Sequence, residues 1–414
     1  MHQAATARGT AALSTEAAAS PASAAAAAAE GELIVYFCPE LTDATTLKRV
    51  QQFLDHGFRI AVLGFRRGRY NSDYRPPWPH VVLGDTADGR YGQRLRALLA
   101  ALPALFAQRR VLAKASAFYA RNMDQLLLAL AMRLVCRRAI PVTYEVLDIP
   151  TILTRRGPRA ALLRTVERVC LRFVDTLVLS SPGFHRGYYA GIQNYRGDWF
   201  LMENKLYPPP TRSLPAPTPR RAEDRWVVGY VGLIRGDATF DLMSRLAARL
   251  ADRIDLRFRG VLTTVSQTDF ERGLSRSANM SYGGAYVPHR DLEEIYRDVD
   301  FAWAIDLEHT DHNSRWLLPC RFYEAGFNGV PCLAVKGFEV GALIERHRIG
   351  WTFGEPLEEE LVRFFEGLSR PHYERVRRRL QSMPRSMFVA DADAERLAHR
   401  LSRRLSRAER RSAG

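Results

Sequence analysis

The chain has 414 residues, 47% hydrophobic and 25% charged, a composition typical of a globular protein with room for two domains. No apolar run in it approaches the ~20 residues that a membrane-spanning helix needs. Its five cysteines are scattered without a CxxC pair, which argues against a disulfide framework or zinc site and favours a reducing compartment. The formal net charge of +15 predicts an anionic partner: phosphate, nucleic acid or an acidic membrane surface.

Residues 1–31 are mostly Ala with Ser, Thr and Gly, and they lack a basic cluster followed by a Leu/Val/Ile core. We therefore expect a disordered leader rather than a secretory signal. The positive charge is concentrated in residues 32–205, which contain 26 Lys/Arg and 14 Asp/Glu, a balance of +12. The tail 396–411 adds seven Arg.

The first half of the chain predicts alternating strands and helices. It opens with a strand at 32–38 that is apolar on both faces, an amphipathic helix at 45–56 and a strand at 58–65. This β-α-β opening has the spacing of a right-handed crossover, but it carries no GxGxxG, so a dinucleotide site is not supported. Further strands are predicted at 80–83, 140–146 and 176–180, and further helices at 90–108, 123–136 and 160–173. Residues 111–117 are too irregular to assign.

A Pro-rich segment, 206–221, contains six prolines and marks the domain boundary. Beyond it the alternation restarts, with strands predicted at 225–231, 254–259, 281–287 and 301–305, and helices at 240–251, 289–298, 357–368, 371–380 and 392–405. We therefore predict an α/β fold with two Rossmann-like domains whose parallel sheets face a central cleft. The expected division is 32–210, a linker at 211–224, 225–370, and C-terminal helices with a basic tail at 371–414 that cross back to the first domain.

The stretch 313–345 is the most informative unit. Helical spacing over 315–326 places Glu324 near the end of a helix, which Asn328-Gly329 closes. An apolar strand at 330–335, a Lys336-Gly337 turn and a second helix follow. Ligands of parallel sheets lie at strand C-termini and helix N-termini, so this unit is a candidate binding site.

Eight segments are distinctive in their order and spacing. They read DATTLKRVQQFLDHGFRIAVLGFRR, FYARNMDQLLLA, PVTYEVLDI, VERVCLRFVDTLVLSSPGF, VVGYVGLIRG, FRG, HRDLEEIYRDVDFAWAI and LPCRFYEAGFNGVPCLAV. Together they resemble family 4 glycosyltransferases of the GT-B fold, particularly those that build bacterial exopolysaccharides. The resemblance extends from about Glu32 to about Leu368. It implies an enzyme that moves a sugar from a nucleoside-diphosphate-sugar to an acceptor, with no other cofactor.

The resemblance implies that the second half binds the donor. Arg235, in the loop that begins at Gly232, stands where the family keeps an arginine for the diphosphate. The lysine that often follows is missing, because the sequence there reads GDATFD. Arg321 or Arg259 is the candidate second cation, with a structural ion pair as the alternative for Arg321.

Glu324 matches the second Glu of the family's E-x7-E pattern, which holds the ribose hydroxyls. Trp316 stands in place of the first. Asn313 and Ser314 are expected at the start of the same helix, where they either present backbone N–H groups to the donor or simply cap the helix.

Three acids of the first half are catalytic candidates. Glu145 and Asp148 lie at the C-terminal end of a strong strand, where ligands bind, and Asp43 precedes the first helix. Such an acid would orient the acceptor hydroxyl or stabilise positive charge on the sugar ring; capping or an ion pair is the alternative. If transfer retains configuration, the leaving phosphate can take the proton.

No metal site is expected. Asp298-Val299-Asp300 and Asp391-Ala392-Asp393 are Asp-x-Asp triplets, but each falls at a helix end and is typical of a cap or turn. GT-B enzymes of this type stabilise the leaving charge with cationic side chains and a helix N-terminus.

The acceptor is expected to be a polyprenyl-diphosphate-linked sugar or an oligosaccharide. The basic loop that contains Arg66, Arg67, Arg69, Tyr70 and Trp78 is predicted to contact anionic lipids, which places the enzyme in the cytoplasm at the inner face of the membrane. Two alternatives are a GT-B-shaped sugar-nucleotide epimerase and a nucleic-acid-binding protein. No helix-turn-helix, RNA-binding aromatic signature or zinc spacing supports the latter, so no nucleic-acid partner is expected.

Overall fold

The computed structural model of the chain describes residues 31–66, 74–86, 91–208, 225–309 and 312–412. The leader, most of the basic loop and the Pro-rich linker lie outside these ranges. The described residues form two parallel sheets with helices packed on both faces, so the predicted α/β fold with two Rossmann-like units is confirmed.

The first sheet has seven strands. In chain order they are β1 Leu33–Cys38, β2 Arg59–Arg66, β3 His80–Asp85, β4 Ala117–Arg121, β5 Val142–Val146, β6 Thr176–Leu179 and β7 Trp199–Leu201. They pair in parallel in the order β3-β2-β1-β4-β5-β6-β7. The helices of this half are α1 Ala44–Asp55, α2 Tyr91–Ala107, α3 Arg109–Leu112, α4 Met123–Cys136, α5 Thr151–Thr154, α6 Pro158–Leu171 and α7 Pro182–Phe184, which continues into a π-helix at His185–Ala190.

The second sheet has six strands, which are β8 Trp226–Ile234, β9 Ile254–Leu262, β10 Met280–Tyr282, β11 Phe301–Trp303, β12 Cys332–Val335 and β13 Gly350–Phe353. They also pair in parallel, in the order β10-β9-β8-β11-β12-β13. The helices are α8 Asp237–Arg249, α9 Gln267–Arg276, α10 Pro288–Arg297, α11 Asn313–Trp316, α12 Cys320–Phe327, α13 Glu339–His347, α14 Leu357–Gly367, α15 Arg370–Gln381 and α16 Asp391–Ser412, with a 3-10 turn at Arg385–Met387.

The single helix predicted over 315–326 is wrong. The chain forms α11, leaves the helical conformation at Leu317 (ψ 152°) and begins α12 after Pro319 (ψ 144°). Proline lacks an N–H and disfavours helical geometry in the residue before it, so the break falls where the sequence reads LLP. Asn313 and Ser314 therefore begin a separate short helix, and the helix of Glu324 begins at Cys320.

The last helix completes the first half of the molecule. Ala394, Leu397, Leu401 and Leu405 of α16 are buried in the same apolar cluster as Tyr36, on the face of the first sheet that α1 also covers. Among the described residues, no helix combines the length and apolar character that crossing a bilayer requires.

Candidate active site

The carboxyl ends of the two sheets face each other and form a cleft. Asp148 follows β5 and Ser181 follows β6 on one side, and Arg235 follows β8 on the other. Side chains join the two sides directly: Ser181 Oγ donates to the Trp316 carbonyl, and Arg186 pairs with Glu339. Strand ends that converge in this way are the usual ligand site of parallel α/β sheets.

Asn313 links the two sides at the centre of the cleft. Its Oδ1 accepts from the Ile149 N–H (3.0 Å) and its Nδ2 donates to Asp148 Oδ1 (3.2 Å). The Asp148 side chain is exposed to the cleft, yet the surrounding protein displaces enough water to raise its pKa, against the lowering effect of Arg235 and Asn313. Two predicted site residues from opposite domains are therefore in contact.

Arg235 lies in a polar cluster on the second sheet. Its Nη2 is 2.5 Å from Asp306 Oδ2 and its Nε is 3.3 Å from Glu308 Oε2. Ser314 Oγ donates to Asp306 Oδ1 (3.0 Å). Ser314 therefore orients the Asp306 carboxylate, which in turn binds Arg235. Burial alone would raise the pKa of Asp306, but Arg235 and the Glu308 N–H outweigh it and keep that pKa below its usual value.

Gly232 leaves its side of the backbone open. It adopts φ +117°, and a Cβ there would meet only Arg321, at 3.8 Å. On its other side Gly260 of β9 approaches so closely that a Cβ on Gly260 would overlap the Gly232 carbonyl oxygen. The two glycines bring the strands together and leave the Gly232 main chain accessible to a ligand.

Arg321 is fixed beside Gly232. Its Nη1 donates to the Trp303 carbonyl (3.2 Å), its Nη2 donates to the Leu233 carbonyl (3.3 Å), and the guanidinium lies 4.2 Å from the centre of the Tyr230 ring. No carboxylate among the described residues pairs with it, so the structural ion pair considered for Arg321 is not formed. Its positive charge remains available in the cleft.

Glu324 is the carboxylate of this region without a bonded partner. Its side chain is half-buried and makes no hydrogen bond or ion pair with the described part of the chain. Burial raises its pKa to about 7, against the lowering effect of Lys48 and Arg321. Lys48 belongs to α1 and donates to Asn204 Oδ1 and to the Lys205 carbonyl (3.0 Å), so the first domain supplies a cation near Glu324.

Arg259 lies in β9 of the same sheet. Its Nη2 is 3.5 Å from the Ala285 carbonyl, and its Nε is buried without a hydrogen-bond partner among the described residues. Burial and the negative charge of Glu324 raise the pKa of Tyr286. The positive charge of nearby Arg259 opposes that rise. Within the described part of the chain, no hydrogen bond or ion pair links Arg259 to Arg235, so the two candidate cations are separate.

Glu145 and Asp43 lie in ion pairs of the first domain. In β5, Val142, Tyr144 and Val146 face one apolar cluster, so Glu145 points to the opposite face of the sheet, where it is fully buried. There Arg49 of α1 pairs with it, with Nε 3.0 Å from Glu145 Oε1.

Asp43 caps α1, accepting from the Thr46 N–H (2.6 Å), and pairs with Arg121. Arg121 also acts electrostatically on Asp148. The catalytic roles of Asp43, Glu145 and Asp148 stay predictions, and of these three acids Asp148 is the one with a side chain exposed to the cleft.

Three residues of the cleft were missed from the sequence. Asp306 follows the buried strand β11. Ligands bind at the C-terminal ends of parallel strands, and this rule, which selected Asp148, also points to Asp306. Lys48 lies within an amphipathic helix and gives no signal of its own. Trp316, noted only because it replaces a family Glu, packs across the cleft: a Cβ on Gly187 of the π-helix would overlap its indole ring.

Comparisons with known proteins agree with this architecture. No family model matches the chain. Sucrose-phosphate synthase from Thermosynechococcus elongatus superposes with a TM-score of 0.67 over 91% of this chain and 100% of that one, at 13% identity. HepE from Anabaena, in complex with UDP and glucose, gives 0.63 over 89% and 99% at 14% identity. WaaG, a glycosyltransferase of lipopolysaccharide biosynthesis, gives 0.59 over 89% and 99% at 12% identity. At these identities the likeness establishes the GT-B fold.

The succinoglycan biosynthesis protein ExoL of Rhizobium meliloti (strain 1021) is 30% identical over 329 residues, which cover 77% of this chain and 80% of ExoL. The chain belongs to the ExoL family. It has the GT-B fold that these glycosyltransferase structures share, and its relative ExoL is a protein of succinoglycan biosynthesis. The resemblance to exopolysaccharide glycosyltransferases is thereby confirmed.

Proposed function

We propose that this ExoL-family enzyme transfers a sugar from a nucleoside-diphosphate donor, bound along the second sheet, to a lipid-linked or oligosaccharide acceptor. The observation that carries the proposal is the unpaired carboxylate of Glu324, whose two oxygens match the two hydroxyls of a ribose. Arg321 and the open backbone of Gly232 lie near it, where a diphosphate would follow the ribose. The structural relative HepE is known in complexes with UDP and with UDP-glucose, which supports this class of donor.

Cationic side chains would stabilise the leaving diphosphate without a metal. Arg235 is held by Asp306 and Glu308 and Arg321 by backbone carbonyls, so both are oriented before the donor arrives. Asp148 would orient the acceptor hydroxyl or stabilise charge on the sugar ring, and with retention of configuration the leaving phosphate would take the proton. Undiminished transfer in the presence of EDTA is the expected result.

The acceptor would lie against the first domain, at the inner face of the membrane if it is attached to polyprenyl diphosphate. The predicted lipid-binding loop needs one correction. Trp78 is buried beside His80 in the core and is not available to a bilayer. Arg67, Arg69 and Tyr70 lie outside the described residues, and their role stays a prediction.

The test is a comparison of Glu324→Ala and Arg235→Gln with the wild type, after screening nucleoside-diphosphate sugars for thermal stabilisation. Glu324→Ala is expected to abolish nucleotide-dependent transfer with the fold intact. Arg235→Gln is expected to weaken donor binding roughly tenfold to a hundredfold, because it removes a charge-assisted hydrogen bond. Arg245→Gln, on the exposed face of α8, is the matched control. Full activity of Glu324→Ala would refute the ribose contact, and donor turnover without any acceptor would favour the epimerase.

A further inference from the structure

A pocket lies between helix α6 and residues 193–198, the segment that leads into β7. Its volume is about 500 Å³, which is in the range of small-molecule sites. The segments that lead into β6 and β7 are on the side of the first sheet opposite the cleft, because the strands are parallel. A ligand in this pocket would therefore be neither the donor nor the acceptor of the proposed function.

The pocket is positively charged. It is lined by Arg168, Arg172 and Arg196, and none of the residues that line it is acidic. Arg172 and Arg196 are exposed and make no hydrogen bond or ion pair with the described residues, and Arg168 Nε donates to the Gln193 carbonyl (3.3 Å). Arginines that share one opening without a carboxylate suit a phosphate or carboxylate group of a ligand.

Gln193 supplies a buried acceptor at the same pocket. Its side chain is 1% exposed, and its Oε1 has no hydrogen-bond partner among the described residues. A buried acceptor without a donor is unfavourable, so a group that donates a hydrogen bond belongs there. A phosphate or a carboxylate cannot donate when ionised, which indicates a ligand that carries hydroxyl groups as well as the anion.

Tyr195 and Asn194 complete the lining. The Tyr195 hydroxyl donates to the Asp198 carbonyl (3.0 Å), and its ring meets the edge of Tyr189, with the ring centres 6.2 Å apart. The ring is therefore held as part of the pocket wall. Asn194 is exposed, and its amide makes no hydrogen bond with the described residues. An aromatic wall beside amide groups suits a sugar ring, which has an apolar face and a rim of hydroxyls.

We propose that this pocket is an effector site for a saccharide that carries a phosphate or carboxylate group. The anion lies at the arginines, a hydroxyl donates to Gln193 Oε1 and the sugar ring packs on Tyr195. Phosphate without a sugar would pair with the arginines but would leave the Gln193 acceptor without a donor.

Hydrogen bonds connect the pocket with the contact between the domains. Gln193 Nε2 donates to Glu167 Oε2 (2.6 Å), which also accepts from Tyr188 of the π-helix. Gly187 of the same π-helix meets Trp316 of the second domain. Single turns of π-helix often occur at functional sites. We therefore expect a ligand at Gln193 to change the affinity of the cleft for its nucleotide, an expectation that rests on the proposed function.

The test is titration calorimetry of the full chain with glucose 6-phosphate, glucuronate, glucose and glycerol 3-phosphate, without donor or acceptor. We expect glucose 6-phosphate or glucuronate to bind, and the better of the two identifies the anionic group. Glucose lacks the anion and glycerol 3-phosphate lacks the ring, so each should bind at least tenfold more weakly. Equal binding of glycerol 3-phosphate would overturn the assignment to a saccharide, and no binding of either acidic sugar would overturn the site.

Variants locate the binding. Arg172→Gln/Arg196→Gln removes two exposed charges, and Asn194→Asp adds a negative charge at φ +53°, a conformation that Asp tolerates. Each should weaken binding of the acidic sugar at least tenfold. Arg253→Gln/Arg276→Gln, at exposed positions of the second domain, is the matched control and should bind like the wild type. Arg235→Gln should also retain this binding, and its loss there would show that the sugar binds in the cleft instead.

The link to the cleft is measured as the Kd of UDP with and without a saturating acidic sugar. We expect a change of about twofold to thirtyfold in the wild type and no change in Arg172→Gln/Arg196→Gln. An unchanged Kd in the wild type would overturn the effector role. If the acidic sugar binds but no nucleoside diphosphate does, the proposed function fails and the saccharide pocket stands.

Discussion

The amide of Asn313 holds Asp148 from across the cleft: its Nδ2 donates to the carboxylate at 3.2 Å, while its Oδ1 accepts from the next residue's backbone N–H at 3.0 Å. Only a side chain that both donates and accepts can make this pair of bonds. Asn313, a residue of the second domain, therefore sets the position of Asp148 of the first domain.

Replacement of Asn313 by Asp should disrupt this contact. The new carboxylate still accepts from Ile149, but it places a second negative charge beside Asp148, and like charges at this distance repel. We expect at least a tenfold fall in the transfer rate, with a loss of about 1–3 kcal/mol in the free energy of unfolding. Steady-state kinetics and urea titration measure the two effects, and an unchanged rate would show that the contact does not position Asp148 for catalysis.

Glu324 should make the stability of the enzyme depend on pH. Its pKa is about 7 in the folded state, against the ordinary value of 4.5 that applies to the unfolded chain. Between these values the folded state keeps a proton that the unfolded state has released, so this residue's contribution to stability falls as pH rises from about 4.5 to about 7. Glu324→Gln cannot ionise, so it avoids the cost of burying a charged carboxylate. It should be more stable than the wild type by on the order of 1–3 kcal/mol at alkaline pH.

Urea titrations across this pH range check the expectation. The difference between Glu324→Gln and the wild type should shrink to zero toward the acid end of the window. Glu366→Gln, at an exposed position of α14, is the control and should show no such trend. A constant difference at all pH values would show that Glu324 is not the titrating group.

The buried pair of Arg49 and Glu145 offers a test of whether Glu145 is catalytic or structural. Arg49→Leu leaves a fully buried carboxylate without its cation, which should cost about 3–5 kcal/mol in the free energy of unfolding. Arg49→Leu/Glu145→Leu removes both charges and should recover most of that loss. If the folded double variant retains transfer, Glu145 is structural; if it is folded but inactive, the catalytic prediction stands.

Trp316 and Gly187 meet across the cleft without room for another atom. Gly187→Ala places a methyl group against the indole ring, so the ring must move and the domains must separate locally. We expect a red shift and loss of intensity in tryptophan fluorescence, with a lower transfer rate. Gly187→Ala/Trp316→Ala removes the clash and should have a higher melting temperature than Gly187→Ala alone. A double variant that is as unstable as the sum of the single variants would contradict this contact.

Local patterns were sufficient for much of the fold. Alternating apolar strands and amphipathic helices predicted both sheets. The rule that ligands bind at the C-terminal ends of parallel strands selected Asp148, and the family resemblance selected Arg235. The strands β4, β7 and β13 were not predicted, because three to five residues are too few to show a clear period. Contacts between residues far apart in the sequence could not be predicted, because they depend on how the elements pack. Arg49 and Glu145 are 96 residues apart, and only the packing of α1 on β5 brings them together.

The last helix has a consequence for how the enzyme is made. Leu397 and Leu401 of α16 are buried against the face of the first sheet that contains Tyr36, so the part of that face that α1 does not cover stays open until α16 has been synthesised. Translation proceeds at about 5–20 residues per second, so roughly 10–40 seconds separate synthesis of the first domain from synthesis of the helix that covers it. For that time the nascent chain presents apolar surface, and the ribosome or a chaperone must protect it. The domain that is synthesised first therefore receives part of its core from the last helix of the chain.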